Sequence, residues 1–190
     1  MPPKAKFTRE EVVQTALEMV REKGMDALTA RNLSARLGSS ASPIFTVFRN
    51  MEDVQREVIA AAQEIYRGYL REDMSGGKYP PYKASGMAYI RFAKEERELF
   101  KLLFMRDRSA EAVAENKEEI APLLELIQRN TGISEEEAYL FHLEMWLYVH
   151  GIAVMIATAY LDWDMAFVDR VLSDGYLGLK HRYMEENCDD

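Results

Sequence analysis

The chain has 190 residues and a formal net charge of −8, and 48% of its residues are hydrophobic. This length and composition allow a sizeable buried core and exclude a mainly disordered chain. The single cysteine, Cys188, excludes an internal disulfide and a cysteine-rich zinc site, and the acidic total argues against a nucleic-acid partner.

The charge is unevenly distributed along the chain. Residues 1–50 contain eight Lys or Arg and five Asp or Glu residues, a charge of +3. Residues 51–190 contain the other 16 basic and 27 acidic residues, a charge of −11. A basic head on an acidic body remains compatible with DNA binding by the head, and chance variation over a short segment is the alternative explanation.

The first two predicted helices have clear start and stop signals. Thr8 and Glu11 form a capping-box pattern, and Gly24 follows the first helix as its stop. The second helix starts at Thr29 and ends at Gly38. The N-terminal residues before Thr8 lack the apolar run of a signal peptide, so a cytoplasmic location is expected.

A third short helix is predicted to begin at Ser40, and a fourth covers residues 50–73. A break rich in Gly and Pro follows at residues 75–81. Further helices are predicted over residues 83–95, 97–106, 109–129, 134–161 and 164–186. The sequence shows no strand-like alternation of useful length, and it therefore predicts an all-α fold of about nine helices.

Two short helices joined by the glycine-containing turn Leu37–Ser40 are the pattern of a helix-turn-helix, whose second helix can enter a DNA major groove. Ala41, Ser42 and Pro43 are small enough for a close approach to DNA, and Ser42 and Thr46 offer hydroxyl groups. The side chains expected to face inward are those of Ile44, Val47 and Phe48. An ordinary helical hairpin with a glycine stop is the alternative.

Several features of residues 7–59 occur together. They are the Ala16-Leu17 pair in a helix that ends at Gly24, the Leu28-Thr29 start, Leu37-Gly38, and Phe48 before a capped helix. In this combination the segment resembles the DNA-binding head of tetracycline-repressor-like (TetR/AcrR) transcriptional regulators. The resemblance implies an N-terminal three-helix helix-turn-helix DNA-binding domain (1–50) and a C-terminal helical ligand-binding and dimerisation domain (51–190). Helix 50–73 would connect the two.

Two positions depart from this family's pattern. The family commonly has a tyrosine where Phe45 stands and a lysine where Met51 stands, and both family residues would contact phosphate. Compensation is expected from the Lys4–Arg9 arm, from Arg31 and Arg49, and from backbone amides at helix starts. The candidate DNA-binding residues are Lys6, Thr29, Arg31, Ser40, Ala41, Ser42, Pro43, Phe45, Thr46 and Arg49.

Trp146 and the run Val149-His150-Gly151 are similar to a subgroup of the family whose C-terminal domain is named for a Trp-His-Gly signature. Because such proteins bind ligands inside the helical body, aromatic side chains there are candidate contacts for an apolar or amphipathic effector. The candidate effector-binding residues are Tyr89, Phe92, Phe104, Trp146 and His150. Plain core packing is the alternative for each of them, and a structural role is preferred for His150.

The run Met145–Leu161 is nearly all apolar, which is compatible with a membrane span but more typical of a buried central helix. Pairing of helices 134–161 and 164–186 with their copies would form a four-helix bundle in a homodimer without membrane contact. The last helix carries an apolar stripe for this purpose, formed by Val168, Val171, Leu172, Tyr176, Leu179 and Tyr183.

The sequence contains none of the common catalytic motifs, so an enzyme is not expected, and neither is a cofactor. His142 and His150 are eight residues apart and cannot chelate one metal as an i,i+4 pair, so no metal site is expected. The expected function is a dimeric repressor that binds a palindromic double-stranded DNA operator and is released by a small effector. The alternative is a helical ligand- or protein-binding module whose DNA binding is weakened or lost.

Overall fold

The computed structural model describes residues 6–107 and 117–186, and within these ranges all regular secondary structure is helical. The α-helices are α1 Arg9–Lys23, α2 Ala30–Arg36, α3 Met51–Ser75, α4 Pro81–Glu95, α5 Arg97–Phe104, α6 Lys117–Thr131, α7 Glu135–Ala157 and α8 Met165–Glu186. Two short 3-10 helices cover Met25–Ala27 and Ile44–Thr46. The predicted all-α class is confirmed. The predicted start of α6 at residue 109 lies outside the described residues, as do Lys4 and Cys188.

The predicted caps and glycine stops of the first two helices are present in the structure. The Glu11 backbone N–H donates to Thr8 Oγ1 (3.1 Å) and the Thr8 N–H donates to Glu11 Oε2 (2.8 Å), which completes the capping box. Thr29 caps α2 by accepting a hydrogen bond from the Asn32 N–H. Gly24 and Gly38 have φ angles of 78° and 63°, a conformation in which a side chain is strained. Both glycines therefore end their helices for a steric reason.

The chain packs as two compact units. The first runs to Gly68 and also includes Glu96–Arg106, and the second comprises Tyr69–Glu95 and the described residues from Asp107 onward. α3 is continuous through residue 68, so one helix supplies residues to both units. The functional division at residue 50, with helix 50–73 as the connection, stays a prediction.

The core of the first unit combines residues of several helices. α1 packs against α2 and α5. The side chains buried there include Val12, Val20, Leu33, Ile44, Phe48, Val54, Val58, Leu99 and Phe100. Because Ile44 and Phe48 belong to this core, the segment between α2 and α3 is held against the helices rather than projecting freely into solvent.

The second unit is built around α4, which packs against α6, α7 and α8. Its buried side chains include Ile90, Phe92, Ile127, Phe141, Ile156, Val168 and Leu172. α7 begins with a second capping box, formed by Ser134 and Glu137. By length and composition α7 could cross a membrane, but its inner face is packed against α4, as in the core helix of a globular domain.

Candidate functional site

The predicted third helix is a single 3-10 turn instead of an α-helix. The N–H groups of Ile44, Thr46 and Val47 donate to carbonyls three residues earlier, and only Phe48 also reaches back four residues, to Ile44. The β-branched side chains of Ile44, Thr46 and Val47 disfavour an α-helix. The second element of the predicted helix-turn-helix is therefore shorter than predicted, and Ile44–Thr46 is called the reading turn below.

The reading turn and its neighbours expose most of the predicted DNA-contacting side chains. The exposed ones are Lys6, Thr29, Arg31, Ser40, Ser42, Phe45, Thr46 and Arg49. Ala41 and Pro43 are half-buried. The predicted inward orientation is confirmed for Ile44 and Phe48, which are 0% and 3% exposed, whereas Val47 is half-buried. One side of the turn is thus anchored in the core and the other is open to a partner.

Three polar groups of this surface already have internal partners. Thr46 Oγ1 donates to the Pro43 carbonyl at 2.6 Å, so the hydroxyl proton is committed and the oxygen can only accept from another molecule. Lys6 Nζ donates to Ser39 Oγ at 3.2 Å, which joins the N-terminal arm to the segment after α2. Thr29 Oγ1 serves as the cap of α2.

Most arginines of the first unit form ion pairs. Arg36 donates two hydrogen bonds to Glu22, at 2.7 and 2.5 Å, and these hold the pKa of the Glu22 carboxyl below its ordinary value. Arg21 pairs with Glu96 at 2.7 Å. Arg31 and Arg49 form no ion pair with any described residue. Their charges are therefore the ones most available for phosphate.

Arg9 was predicted to belong to a phosphate-binding arm, but its guanidinium has three internal partners. It donates to Glu57 Oε1 at 2.6 Å and to the Val47 carbonyl at 3.0 Å. It also lies over the Phe48 ring, 4.2 Å from the centroid. These contacts give Arg9 a structural role, because they fasten the end of the reading turn to α1 and α3.

An open cleft of about 480 Å³ lies beside the reading turn. Its lining residues are Arg9, Phe45, Thr46, Val47, Phe48, Arg49 and Asp53. At its edge α3 begins with the Asp53 N–H donating to Asn50 Oδ1 (2.9 Å) and the Arg49 N–H donating to Asp53 Oδ2 (3.1 Å). These bonds fix the backbone of Arg49, whose side chain is exposed. Met51, where the family pattern has lysine, is half-buried.

Three of the five predicted effector-binding residues lie together in the second unit. The hydroxyl of Tyr89 is 2.8 Å from His150 Nδ1, and the Trp146 ring stacks on the His150 ring with centroids 4.9 Å apart. Burial lowers the pKa of His150 below its ordinary value. Tyr89 is 5% exposed, whereas Trp146 is 43% exposed. The bond to Tyr89 favours the structural role that the sequence analysis preferred for His150.

The other two predicted effector contacts lie elsewhere. Phe92 is completely buried in the second unit and packs edge-on against Tyr69, with centroids 5.4 Å apart. Phe104 belongs to the first unit, where it contacts Tyr66 at 5.3 Å. Phe92 is therefore a core residue, the alternative explanation given for it, and Phe104 is half-buried against another aromatic ring.

Sequence reasoning missed a second tyrosine–histidine pair. The Tyr82 hydroxyl is 3.2 Å from His142 Nδ1, and burial raises the pKa of Tyr82. Tyr82 and Tyr89 are seven residues apart on α4, while His142 and His150 are eight apart on α7. Spacings of seven and eight residues are both close to two helical turns, so each pair lies on one helix face. This near-match of the two spacings is the signal that would have predicted two tyrosine–histidine contacts between α4 and α7.

The apolar stripe predicted to pair α8 with its copy faces the protomer's own core instead. Val168, Leu172 and Tyr183 are buried, and Val171, Tyr176 and Leu179 are half-buried. The exposed apolar side chains of α7 and α8 are a different set, namely Leu140, Trp146, Leu147, Tyr148, Met155, Leu177 and Met184. Leu140, Leu147, Tyr148 and Met155 fall on one side of α7, since their spacings are close to whole turns.

Two comparisons relate this chain to known transcriptional regulators. Residues 82–174 match the family model described as "Tetracyclin repressor-like, C-terminal domain". Over 182 residues the chain is 24% identical to a Mycobacterium tuberculosis protein named as an uncharacterized HTH-type transcriptional regulator, covering 88% of this chain and 80% of that protein. Over residues 82–174 the chain is thus similar to the C-terminal domain of tetracycline-repressor-like regulators, and over most of its length it is similar to an HTH-type transcriptional regulator.

Proposed function

We propose that the protein is a cytoplasmic homodimeric repressor that binds a palindromic DNA operator and is released by a small apolar or amphipathic effector. The observation that carries the DNA-binding part is the surface between α2 and α3. There the reading turn is anchored by Ile44 and Phe48, exposes Phe45 and Thr46, and lines a cleft together with Arg49. A fixed, exposed turn with an exposed cation beside it suits a groove lined by phosphates.

The dimer is proposed from the exposed apolar side of α7 and α8. Leu147 and Leu177 are 64% and 60% exposed, which is unusual for leucines on neighbouring helices. α7 and α8 are also joined on this side, since Arg182 pairs with Glu144 at 2.9 Å. Burial of this face against a second copy would create the four-helix bundle and give the two heads twofold symmetry. A palindromic operator has the same symmetry.

The effector is proposed to contact Trp146 and to act near the Tyr89–His150 pair. Trp146 combines a large exposed aromatic surface with a fixed ring position on His150. An apolar or amphipathic molecule suits such a surface because burying aromatic area is favourable. Phe92, which is completely buried, and Phe104, which is half-buried and packs on Tyr66, are left out of this proposed contact set.

Release is proposed to follow a two-state shift in which the effector changes the position of α3 and hence the separation of the heads. In such a scheme the effector binds the DNA-incompetent state more tightly, and DNA lowers effector affinity by the same factor. Neither a resident cofactor, a metal nor an enzymatic activity is part of this proposal.

The experiment that tests DNA binding is selection of bound duplexes from a random pool with the purified full-length protein at two salt concentrations. The proposal expects an enriched inverted repeat whose binding weakens as salt rises. Failure to enrich any sequence at either salt concentration would overturn it. That outcome would favour the alternative of a helical ligand- or protein-binding module without regulatory DNA binding.

A further inference from the structure

The segment Ser39–Phe48 contains no charged side chain and no side-chain amide. In the major groove, guanine is usually recognised by paired hydrogen bonds from Arg or Lys, and adenine by paired hydrogen bonds from Asn or Gln. The reading turn lies within this segment, so it has none of these groups. Its recognition of base edges must rest on single hydroxyl contacts and on apolar surface.

The exposed side of the reading turn is largely apolar. Phe45 is 42% exposed, and its phenyl ring can neither donate nor accept a conventional hydrogen bond. Thr46, next to it, has committed its hydroxyl proton to the Pro43 carbonyl at 2.6 Å. It therefore offers a methyl group and an acceptor oxygen but no donor. Ala41 and Pro43, both half-buried, add apolar surface before the turn.

The turn that carries these side chains is held in place. Ile44 and Phe48 are buried in the first unit's core, and Arg9 donates to the Val47 carbonyl at 3.0 Å. A fixed turn presents Phe45 in one position relative to the rest of the head. A contact made by its ring is therefore expected at a defined base step rather than spread over the site.

One feature of the major groove matches such a surface. The C5-methyl of thymine is the apolar group that the base edges display there, and Phe, Ala and the Thr methyl are side chains that contact it. We propose that the head recognises thymine through its methyl group, with Phe45 as the principal specificity-determining contact. This inference rests on the proposed DNA-binding function and specifies its ligand as an operator half-site with thymine facing the reading turn.

The exposed arginines of the first unit have a separate role in this scheme. Arg31 and Arg49 are exposed and form no ion pair with any described residue, so they serve phosphate groups that every DNA sequence presents. They supply affinity and salt dependence without choosing a base. The reading turn then determines which base is preferred. Experiments can therefore distinguish its methyl contact from the ionic contacts of the arginines.

The test uses the duplex enriched from a random pool by the full-length protein. Each thymine in a half-site is replaced in turn by deoxyuridine, which lacks only the methyl group. Loss of one buried methyl contact predicts about fourfold weaker binding per half-site, at one or two positions. Replacing the same thymine by cytosine and then by 5-methylcytosine is expected to show partial recovery with the methyl.

Variants connect the effect to Phe45. With Phe45→Ala the affinity ratio between the thymine and deoxyuridine duplexes should approach one, whereas Phe45→Tyr, which keeps the ring, should preserve the ratio. Tyr160→Ala removes an aromatic ring that is 76% exposed between α7 and α8 and should preserve the wild-type ratio. Circular dichroism checks that each variant is folded.

The outcomes separate this inference from the proposed function. If an enriched duplex binds equally well after every thymine is replaced by deoxyuridine, methyl recognition is wrong while DNA binding stands. The same conclusion follows if Phe45→Ala keeps the full ratio. If no duplex is enriched at all, the proposed function fails and the inference fails with it.

Discussion

Arg9 donates a hydrogen bond to Glu57 at 2.6 Å across the first unit, from the start of α1 to α3. The two residues are 48 positions apart in sequence, and the same guanidinium also contacts the Val47 carbonyl and the Phe48 ring. A side chain expected to bind phosphate is thereby used to hold the reading turn. In the proposed function, DNA binding by the head would depend on Arg9 indirectly, through the position of the turn.

Arg9→Ala is expected to destabilise the protein by about 1–2 kcal/mol, because it removes a charge-assisted bond, a carbonyl bond and a cation–π contact together. The measurement is the free energy of unfolding in urea. Arg67→Ala is the matched control, since Arg67 pairs with Glu64 one turn away on the helix surface. That change should cost less than about 0.5 kcal/mol. Equal costs for the two variants would contradict the structural role of Arg9.

Gly38→Ala is expected to lower the free energy of unfolding by about 1 kcal/mol. Its φ is 63°, and nothing lies within 4 Å of an added Cβ, so the cost is backbone strain alone. Gly68→Ala is the matched variant, and its effect on the free energy of unfolding should have the opposite sign. Gly68 lies inside α3 with open space around it, and alanine there should raise the stability by about 0.5–1 kcal/mol. Chemical denaturation measures both, and a stabilising Gly38→Ala would show that this turn has another conformation.

The stability of the second unit should depend on pH through His150. Burial lowers the pKa of His150 below 6.5, so the unfolded chain takes up a proton there at a higher pH than the folded chain. Its contribution to folding therefore weakens as pH falls through about 6.5. Unfolding of the wild type and of His150→Gln should be compared from about pH 7.5 to about pH 5.5. The wild type is expected to lose more stability over this range, and a constant difference would contradict the assignment.

Leu147→Glu is expected to weaken the proposed homodimer, because a carboxylate would be placed at the centre of its apolar α7 face. Sedimentation velocity at micromolar concentration measures the change. Met105→Glu, at a 40% exposed apolar residue of the first unit, is the control and should leave the association state unaltered. A monomeric wild-type protein would contradict the dimer proposal. A Leu147→Glu variant that stays fully dimeric would contradict the proposal that this face of α7 forms the interface.

Helix starts and stops could be predicted from the sequence because their signals are local. Thr8 with Glu11 and Ser134 with Glu137 need only three residues of spacing to make a capping box, and both form. Gly24 marks its helix end through its own φ preference. These contacts depend little on the rest of the molecule.

Features that depend on distant partners could not be predicted in the same way. The role of Arg9 follows from Glu57, and the orientation of the α8 stripe follows from packing against α4 and α7. A stripe at helical spacing identifies a buried face but not which neighbour covers it. The 3-10 turn was missed for a different reason. The spacing of Ile44 and Phe48 predicts an α-helix, but the β-branched side chains of Ile44, Thr46 and Val47 disfavour one, and the spacing carries no information about that preference.

The salt dependence of binding by Arg49→Ala tests the central claim, DNA recognition by the surface between α2 and α3, most directly. Fluorescence anisotropy with the enriched duplex should show weaker binding and a salt slope reduced by about one per subunit, since one phosphate contact is lost. Arg129→Ala removes an exposed arginine from α6 and should match the wild type. If Arg49→Ala instead has the wild-type affinity and slope, this surface does not contact DNA as proposed.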